Sequence, residues 1–379
     1  MAFGSLRSLL LVTCAAPLGV VVVALPGCRV DTATDLVTTI PASQASLAGK
    51  WVRLEADACR PTRNATPSKW GHVVYMQHEA TGHGHAHRVE GRAGAAPEDL
   101  SVALDRLTTG TDDFVNVSPD AAWLVLGTSR LGCGDDTCVA LVSADLCAAQ
   151  VVVAGGAIVH PDGTAAVGTR ADGSVVVVYP AKEGPHARDL FAVHKTLETW
   201  GAPVLLTGAS PHAWNQQPAL SDDGTKVLFD CGADPGQGDG MELCEVHTDG
   251  TGFRSVLTPR QGPSQNPQNH LHAPDYEPGG GVVFEGTWTS GLDEQVWRVP
   301  AGITAPRLVD PTKGTDGLYR FNNDNTPCAL PDGRIVSLWL GRAGGGGHHE
   351  LKLMDASGAN SVMLVANIDV ADVGTGCSR

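Results

Sequence analysis

The sequence predicts an all-β fold, a single β-propeller of four-stranded antiparallel blades, and three observations predict it. First, turn signals recur at Pro119-Asp120, Pro161-Asp162-Gly163, Asp222-Asp223-Gly224, Pro278-Gly279-Gly280 and Pro331-Asp332-Gly333, each before a β-rich segment. They stand about 42 to 61 residues apart, the range of one blade with variable loops. Second, one stretch, His212 to Thr258, holds a complete copy of the repeat. Third, Gly 46 and Pro 24 against 18% charged residues argue for many turns and few long surface helices. At 379 residues the chain is long enough for two domains, but a closed all-β ring can use that length as one.

Taken in order, the N-terminus reads as an export signal. Arg7 precedes an apolar run from Leu9 to Leu25, closed by Leu25-Pro26-Gly27-Cys28. This resembles the lipobox of bacterial lipoproteins, which implies cleavage before Cys28 and lipid attachment to it; Leu25 and Gly27 fit that pattern, and Pro26 departs from its usual small or aliphatic residue. An ordinary signal peptide cut elsewhere and an uncleaved anchor are the alternatives, the apolar run being of borderline length for a membrane span. The domain reading is therefore signal peptide 1–27, flexible tether 28–50 of Thr, Ala, Ser and Asp, and propeller 51–379.

Cysteine usage agrees with an exported, oxidised chain. Of 10 cysteines, setting aside Cys14 in the signal and Cys28 leaves an even set, consistent with up to four disulfides. Cys133 and Cys138 flank a Gly-Asp-Asp-Thr tip, the spacing of a bridge across a hairpin end. Cys231 and Cys244 sit on strands flanking a loop and can pair likewise. Cys59, Cys147, Cys328 and Cys377 remain, with three pairings open; joining Cys328 to Cys377 ties the C-terminal tail to the last blade. No pair of CxxC motifs supports a zinc site.

Trp51 to Glu55 and Trp70 to His78 read as strands. His78, His83, His85 and His87 then cluster around Glu79-Ala80-Thr81-Gly82. His85 and His87, two apart on an extended segment, point to one side and invite a metal reading, against which stands an exposed Gly-containing hairpin tip with chance His content.

The repeats follow. Their turns lead into Trp123 to Gly127, Ala165 to Thr169, Lys226 to Phe229, Val282 to Glu285 and Arg334 to Leu340. Third and fourth strands read at Val139 to Val142, Gln295 to Val299 before Pro306 to Val309, and Glu350 to Met354 before Ser361 to Ala366. In the complete copy, Trp214 to Gln217 is a polar lead-in, Asp222-Asp223-Gly224 a tight turn, and Lys226 to Cys231, Glu242 to Val246 and Phe253 to Leu257 successive strands. Five copies with the segment from Trp70 to Leu107 give six blades. A seventh requires a blade hidden between Pro180 and Leu206, a region read here as an insertion, Ala181 to Leu197, alongside Gly232 to Gly240 and Gly341 to His349.

Ser118-Pro119-Asp120, Glu242 through Gly252 and Glu350 through Gly358 resemble the repeats of TolB-type β-propellers, over roughly Trp70 to Ala366. The resemblance implies the fold and little of the function, because such repeats serve periplasmic scaffolds, peptidases and polysaccharide lyases. TolB itself carries an α/β domain before its propeller, where this sequence has a short low-complexity stretch. No G-x-S-x-G nucleophile elbow occurs, which excludes the serine peptidase reading.

The channel is the remaining place for chemistry. Setting Gly224, Gly280 and Gly333 in register aligns Pro218, Pro274 and Pro327, and two residues upstream stand Gln216, His272 and Asn325. Extending without gaps adds Asp113 and Gly155, and the same parity brings in Trp214, His270 and Asn323. Asp113, Gln216, His270, His272 and Asn325 are thus the candidate channel ring, with His270 and His272 presenting two imidazoles on one face to a divalent metal ion. The formal charge of -15 argues against nucleic acid and against an anionic membrane surface, leaving the membrane as a partner only through the lipid anchor. The expected function is an exported, lipid-anchored binding or scaffold module facing the periplasm or cell surface, with an envelope protein or a carbohydrate as ligand and no assured cofactor. The alternative is a metal-dependent polysaccharide-active enzyme resembling oligogalacturonate lyases, although no positioned base for that chemistry is evident.

Overall fold

The computed structural model describes residues 48–54, 59, 68–78, 84–133, 136–233, 240–288, 294–309, 324–339, 349–368 and 375–379. Cys28, His83 and His348 lie outside the described residues, as do residues 234–239 and 341–348 of the insertions read at Gly232 to Gly240 and Gly341 to His349.

Six antiparallel sheets form six blades. Blade 1 orders Gly376–Cys377, His72–His78, Gly84–Glu90 and Glu98–Asp99 from one edge to the other. Blade 2 orders Asp112–Val117, Trp123–Thr128, Cys138–Ser143 and Ala148–Val151, with Trp51–Arg53 added outside. Blade 3 orders Ala166–Thr169, Val175–Ala181, Asp189–Thr196 and Thr199–Trp200, and Val204–Leu205 also pairs with its third strand. Blade 4 holds Trp214–Leu220, Lys226–Gly232, Met241–His247 and Arg254–Leu257; blade 5, Leu271–Tyr276, Val282–Gly286, Gln295–Val299 and Arg307–Leu308; blade 6, Asp324–Ala329, Ile335–Trp339, His349–Met354 and Val362–Ile368.

The region from Ala181 to Leu197 is not an insertion. Asp189–Thr196 is the third strand of blade 3, because Leu190, Ala192 and Val193 are fully buried and need a sheet on both sides. That accounts for six blades and leaves no hidden seventh.

Alternation along the strands builds the core. Leu124 and Leu126 face the cluster shared with blade 1, while Val125 between them faces the one shared with blade 3. Six hydrophobic clusters result, one at each junction of successive blades, the last joining Val73 and Tyr75 of blade 1 to Val336, Leu338 and Leu351 of blade 6. Truncating a side chain there, such as fully buried Phe229 to Ala, costs about 3–5 kcal/mol.

The repeated turns have a local cause. In blade 4, Ser221 Oγ donates to Asp223 Oδ1 at 2.6 Å and accepts from Lys226 N at 3.0 Å, while Gly224 takes φ of 63°. Ser118, Asp120 and Trp123 repeat the arrangement in blade 2. The serine and aspartate side chains occupy backbone groups that a reversal leaves unpaired.

The ring closes through the C-terminal segment, whose Gly376–Cys377 is the edge strand of blade 1. Disulfides join Cys328 to Cys377, Cys133 to Cys138, Cys231 to Cys244 and Cys59 to Cys147. The first therefore fastens blade 6 to the strand that completes blade 1.

Candidate functional site

The inner strands of blades 4, 5 and 6 share one irregularity. Pairing steps three residues along these strands, from Gln216 to Ala219, from His272 to Asp275 and from Asn325 to Cys328, while the partner strand advances only two, from Asp230 to Leu228, from Glu285 to Val283 and from Leu338 to Val336. The skipped residues are Gln217-Pro218, Ala273-Pro274 and Thr326-Pro327. Proline has no N–H to give the ladder, and Gln217, Ala273 and Thr326 take φ of 50°, 44° and 43°. These bulges turn that residue, one beyond the aligned position, toward the axis. Gln217, Ala273 and Thr326 line a central cavity of about 100 Å³ together with Asn116, Asp275 and Arg379. That volume is below the several hundred Å³ of a drug-sized ligand pocket.

Arg379 fills part of this space. Its guanidinium donates to Asp275 Oδ1 and Asp222 Oδ1 at 2.6 Å each, to Leu220 O at 2.6 Å and to Tyr276 O at 3.0 Å. Burial pulls its pKa down, but Asp275 and Asp222 outweigh that and raise it. Burial raises the pKa of Asp275 against the pull of Arg379.

In blades 4 and 5 the residue before the bulge points elsewhere. Asp230, fully buried in the second strand of blade 4, accepts at Oδ2 from Gln216 Nε2 and from His272 Nδ1, both at 3.0 Å. Gln216 Oε1 accepts from Arg188 Nη1 at 2.5 Å, and Arg188 is paired with Asp162 at 2.8 Å. Arg188 also lies 4.4 Å from the ring centre of Trp214. His270 stacks on His272 with centroids 5.3 Å apart and planes 11° from parallel. Polar side chains of blades 3, 4 and 5 thus form one continuous chain.

Its electrostatics separate the two histidines. Burial lowers the pKa of His272, but the hydrogen bond and charge of Asp230, helped by Glu285 and Glu294, carry it to about 9. Burial and the neighbouring His272 cation lower that of His270. Burial, then the charge of Glu294, raises that of Glu285, whose Oε2 accepts from Thr326 N at 2.9 Å. At neutral pH a cationic imidazole therefore faces a neutral one. Asp230 Oδ1 is buried without a hydrogen-bond partner among the described residues.

Of the residues aligned from sequence, Gln216, His270 and His272 come together. Asp113 is exposed in the inner strand of blade 2, where its carboxylate accepts from Thr137, apart from this chain. Gly155 lies in a small hairpin between Val153–Ala154 and Ala157–Ile158, because blade 2 ends one hairpin later than a gapless register assumes. The Asn325 side chain lies outside the described residues, although its backbone pairs with Leu338. Sequence reading missed Asp230, Glu285 and Arg188. A signal existed: Asp230 and Glu285 are lone carboxylates in the apolar runs Val227 to Cys231 and Val282 to Gly286, and a buried charge must be paired or neutralised. Among the described residues, His270 and His272 belong to no group of three His, Cys, Asp or Glu donors within 4.8 Å of one another.

No protein-family model matches the chain, and no curated protein matches it in sequence. Solved structures do. A crystal structure of TolB from Acinetobacter baumannii is similar with a TM-score of 0.57 at 12% identity, over 83% of this chain and 68% of that one. An oligogalacturonate lyase from Vibrio parahaemolyticus matches at a TM-score of 0.47 and 12% identity, over 84% of this chain and 82% of that one. A puromycin hydrolase matches at 0.44 and 17%, with 86% of this chain spanning 48% of that one. Identities this low speak for the fold alone, and the last two scores add nothing to the case. With its six antiparallel blades, the chain has a TolB-like β-propeller fold.

Proposed function

We propose that the protein is an exported β-propeller that acts as a binding module of the cell envelope, tethered by lipid on Cys28, and that it holds a polar, carboxylate-bearing saccharide at the Trp214, Gln216, His270 and His272 end of its inner strands. The carrying observation is the chain Arg188–Gln216–Asp230–His272, in which every side chain is held in place by its neighbour and one carboxylate oxygen stays unsatisfied. Asp230 Oδ1 is itself sealed from solvent, so Asp230 orients the cluster from behind while a ligand meets the partly exposed Trp214, Gln216, His270 and His272. Trp214 offers a ring face, His272 a cation and His270 a neutral donor or acceptor, the mixture that recognises acidic sugars. Four disulfides fit an oxidising compartment.

One observation favours a second reading, cleavage of the saccharide. Environments that push the pKa values of neighbouring groups apart assign an acid and a base, and His270 and His272 differ in that sense. A thermal-shift screen of the purified chain against uronate and neutral oligosaccharides tests the binding proposal, with ultraviolet absorbance of the same mixtures reporting unsaturated products. Stabilisation by uronates without new absorbance supports binding; turnover abolished by His270→Ala supports cleavage; no shift with either sugar class refutes both.

A further inference from the structure

A second cluster lies far from the inner strands, on the outer half of blade 1. Gly84–Glu90 carries His85 and His87 two residues apart, hence on one face. Asp99 on the neighbouring outer strand pairs directly with His87, which in turn pairs with Tyr75, so Tyr75, His87 and Asp99 form one row across three strands. The ligand atoms of His85, His87 and Asp99 all lie within 4.8 Å of one another.

Each donor is aimed by something behind it. Asp99 is the N-cap of the helix Leu100–Leu104, and its Oδ1 accepts from Val102 N at 2.9 Å, which leaves Oδ2 turned to the histidines. His85 Nδ1 stands 2.9 Å from that Oδ2. The His87 ring stacks on buried Tyr75, centroids 5.2 Å apart, and the two imidazoles are 6.5 Å apart. His85 and Asp99 keep 23% and 30% of their side-chain surface exposed, so an ion can enter and retain water.

We infer that His85, His87 and Asp99 form a binding site for a divalent first-row transition-metal ion. Two imidazoles and one carboxylate converging on one side suit zinc, nickel, copper or ferrous iron better than magnesium or calcium, which take oxygen ligands. The spacing agrees. Metal–ligand bonds of about 2.1 Å place adjacent ligands about 3.0 Å apart around an octahedral ion and about 3.4 Å apart around a tetrahedral one, so His85 Nδ1 and Asp99 Oδ2, hydrogen-bonded at 2.9 Å, need separate only slightly to admit it. The backbone N–H of Val102 supplies the outer hydrogen bond that ligating carboxylates receive. This site shares no residue with the inner-strand cluster.

The test is isothermal titration of the metal-stripped full chain with Zn²⁺ near pH 7.5, repeated with Co²⁺ while recording its visible absorption. One tight equivalent with nitrogen-donor cobalt bands is expected. His85→Gln, His87→Gln and Asp99→Asn should each weaken it by at least about tenfold. Asp99→Asn keeps an acceptor for Val102 N, so a folded variant is available if a histidine substitution unfolds blade 1, and circular dichroism verifies that. Mg²⁺ in place of Zn²⁺ should give no comparable equivalent. Absence of a tight equivalent, or one that survives all three substitutions and vanishes with His270→Ala, overturns the inference.

Discussion

His272 donates its Nδ1–H to Asp230 Oδ2 across 3.0 Å, joining the inner strand of blade 5 to the second strand of blade 4. Gln216 shares the same oxygen. Because Asp230 is fully buried, deleting it strands an imidazolium in a dry setting. Asp230→Ala should therefore cost about 3–5 kcal/mol in a denaturant titration, whereas Asp230→Asn, which keeps the shape, should cost less and should lower the His272 titration midpoint seen by NMR. An unchanged midpoint would show that Asp230 is not what holds the charge.

Stability should depend on pH in a defined direction. The folded pKa of His272 is raised from 6.5 to about 9, so its contribution is fully present below pH 6.5 and is lost as pH rises toward 9. The shift corresponds to about 3 kcal/mol at most. Glu285, pushed up to about 8 by burial, ionises at a cost to the folded state and adds to the fall below that pH. Melting temperature should decline between pH 6.5 and 9, and His272→Gln should flatten that decline. A curve that rises across this window contradicts the assignment.

The disulfides should differ in worth. Cys328–Cys377 closes 49 residues and Cys133–Cys138 only 5. Chain-entropy arguments give about 4 kcal/mol for the first and about 2 kcal/mol for the second. The paired serine substitution at 328 and 377 should thus lower the melting temperature more than the pair at 133 and 138. Equal losses would show that ring closure does not rest on the blade 6 to blade 1 bridge.

Arg379 should behave as a structural strut of the channel. Arg379→Ala leaves the largely buried Asp275 without its cation and should cost about 3 kcal/mol. Adding Asp275→Asn should restore part of that loss, since the stranded charge is then gone. A double variant as unstable as the sum of the two single variants would refute the coupling.

Much of this architecture is legible in the chain. The Pro-Asp-Gly signals mark the reversals because serine, aspartate and glycine each solve a backbone problem there, and aligning Pro218, Pro274 and Pro327 finds three real bulges. The alignment stops short at the side chains: a bulge rotates the chain, so Gln217, Ala273 and Thr326 meet the cavity while Gln216 and His272 turn to Asp230. Register beyond those blades drifts, as Gly155 shows, because an extra hairpin has no turn signal distinct from that of a blade. Asp189–Thr196 is hidden for another reason: Asp189 and the flanking Pro185 and His186 make an apolar strand look like loop. Long-range partners such as Arg379 with Asp275 leave no local trace at all.

The central claim is that the cluster around Asp230 and His272 binds an acidic saccharide. Isothermal titration of the purified chain with short oligogalacturonates tests it most directly, run beside His270→Ala and a neutral oligosaccharide. The account predicts saturable binding to the uronate, little to the neutral sugar, and at least tenfold weaker affinity in the variant, a loss of about 1.4 kcal/mol. No binding, or equal affinity for variant and wild type, would contradict it.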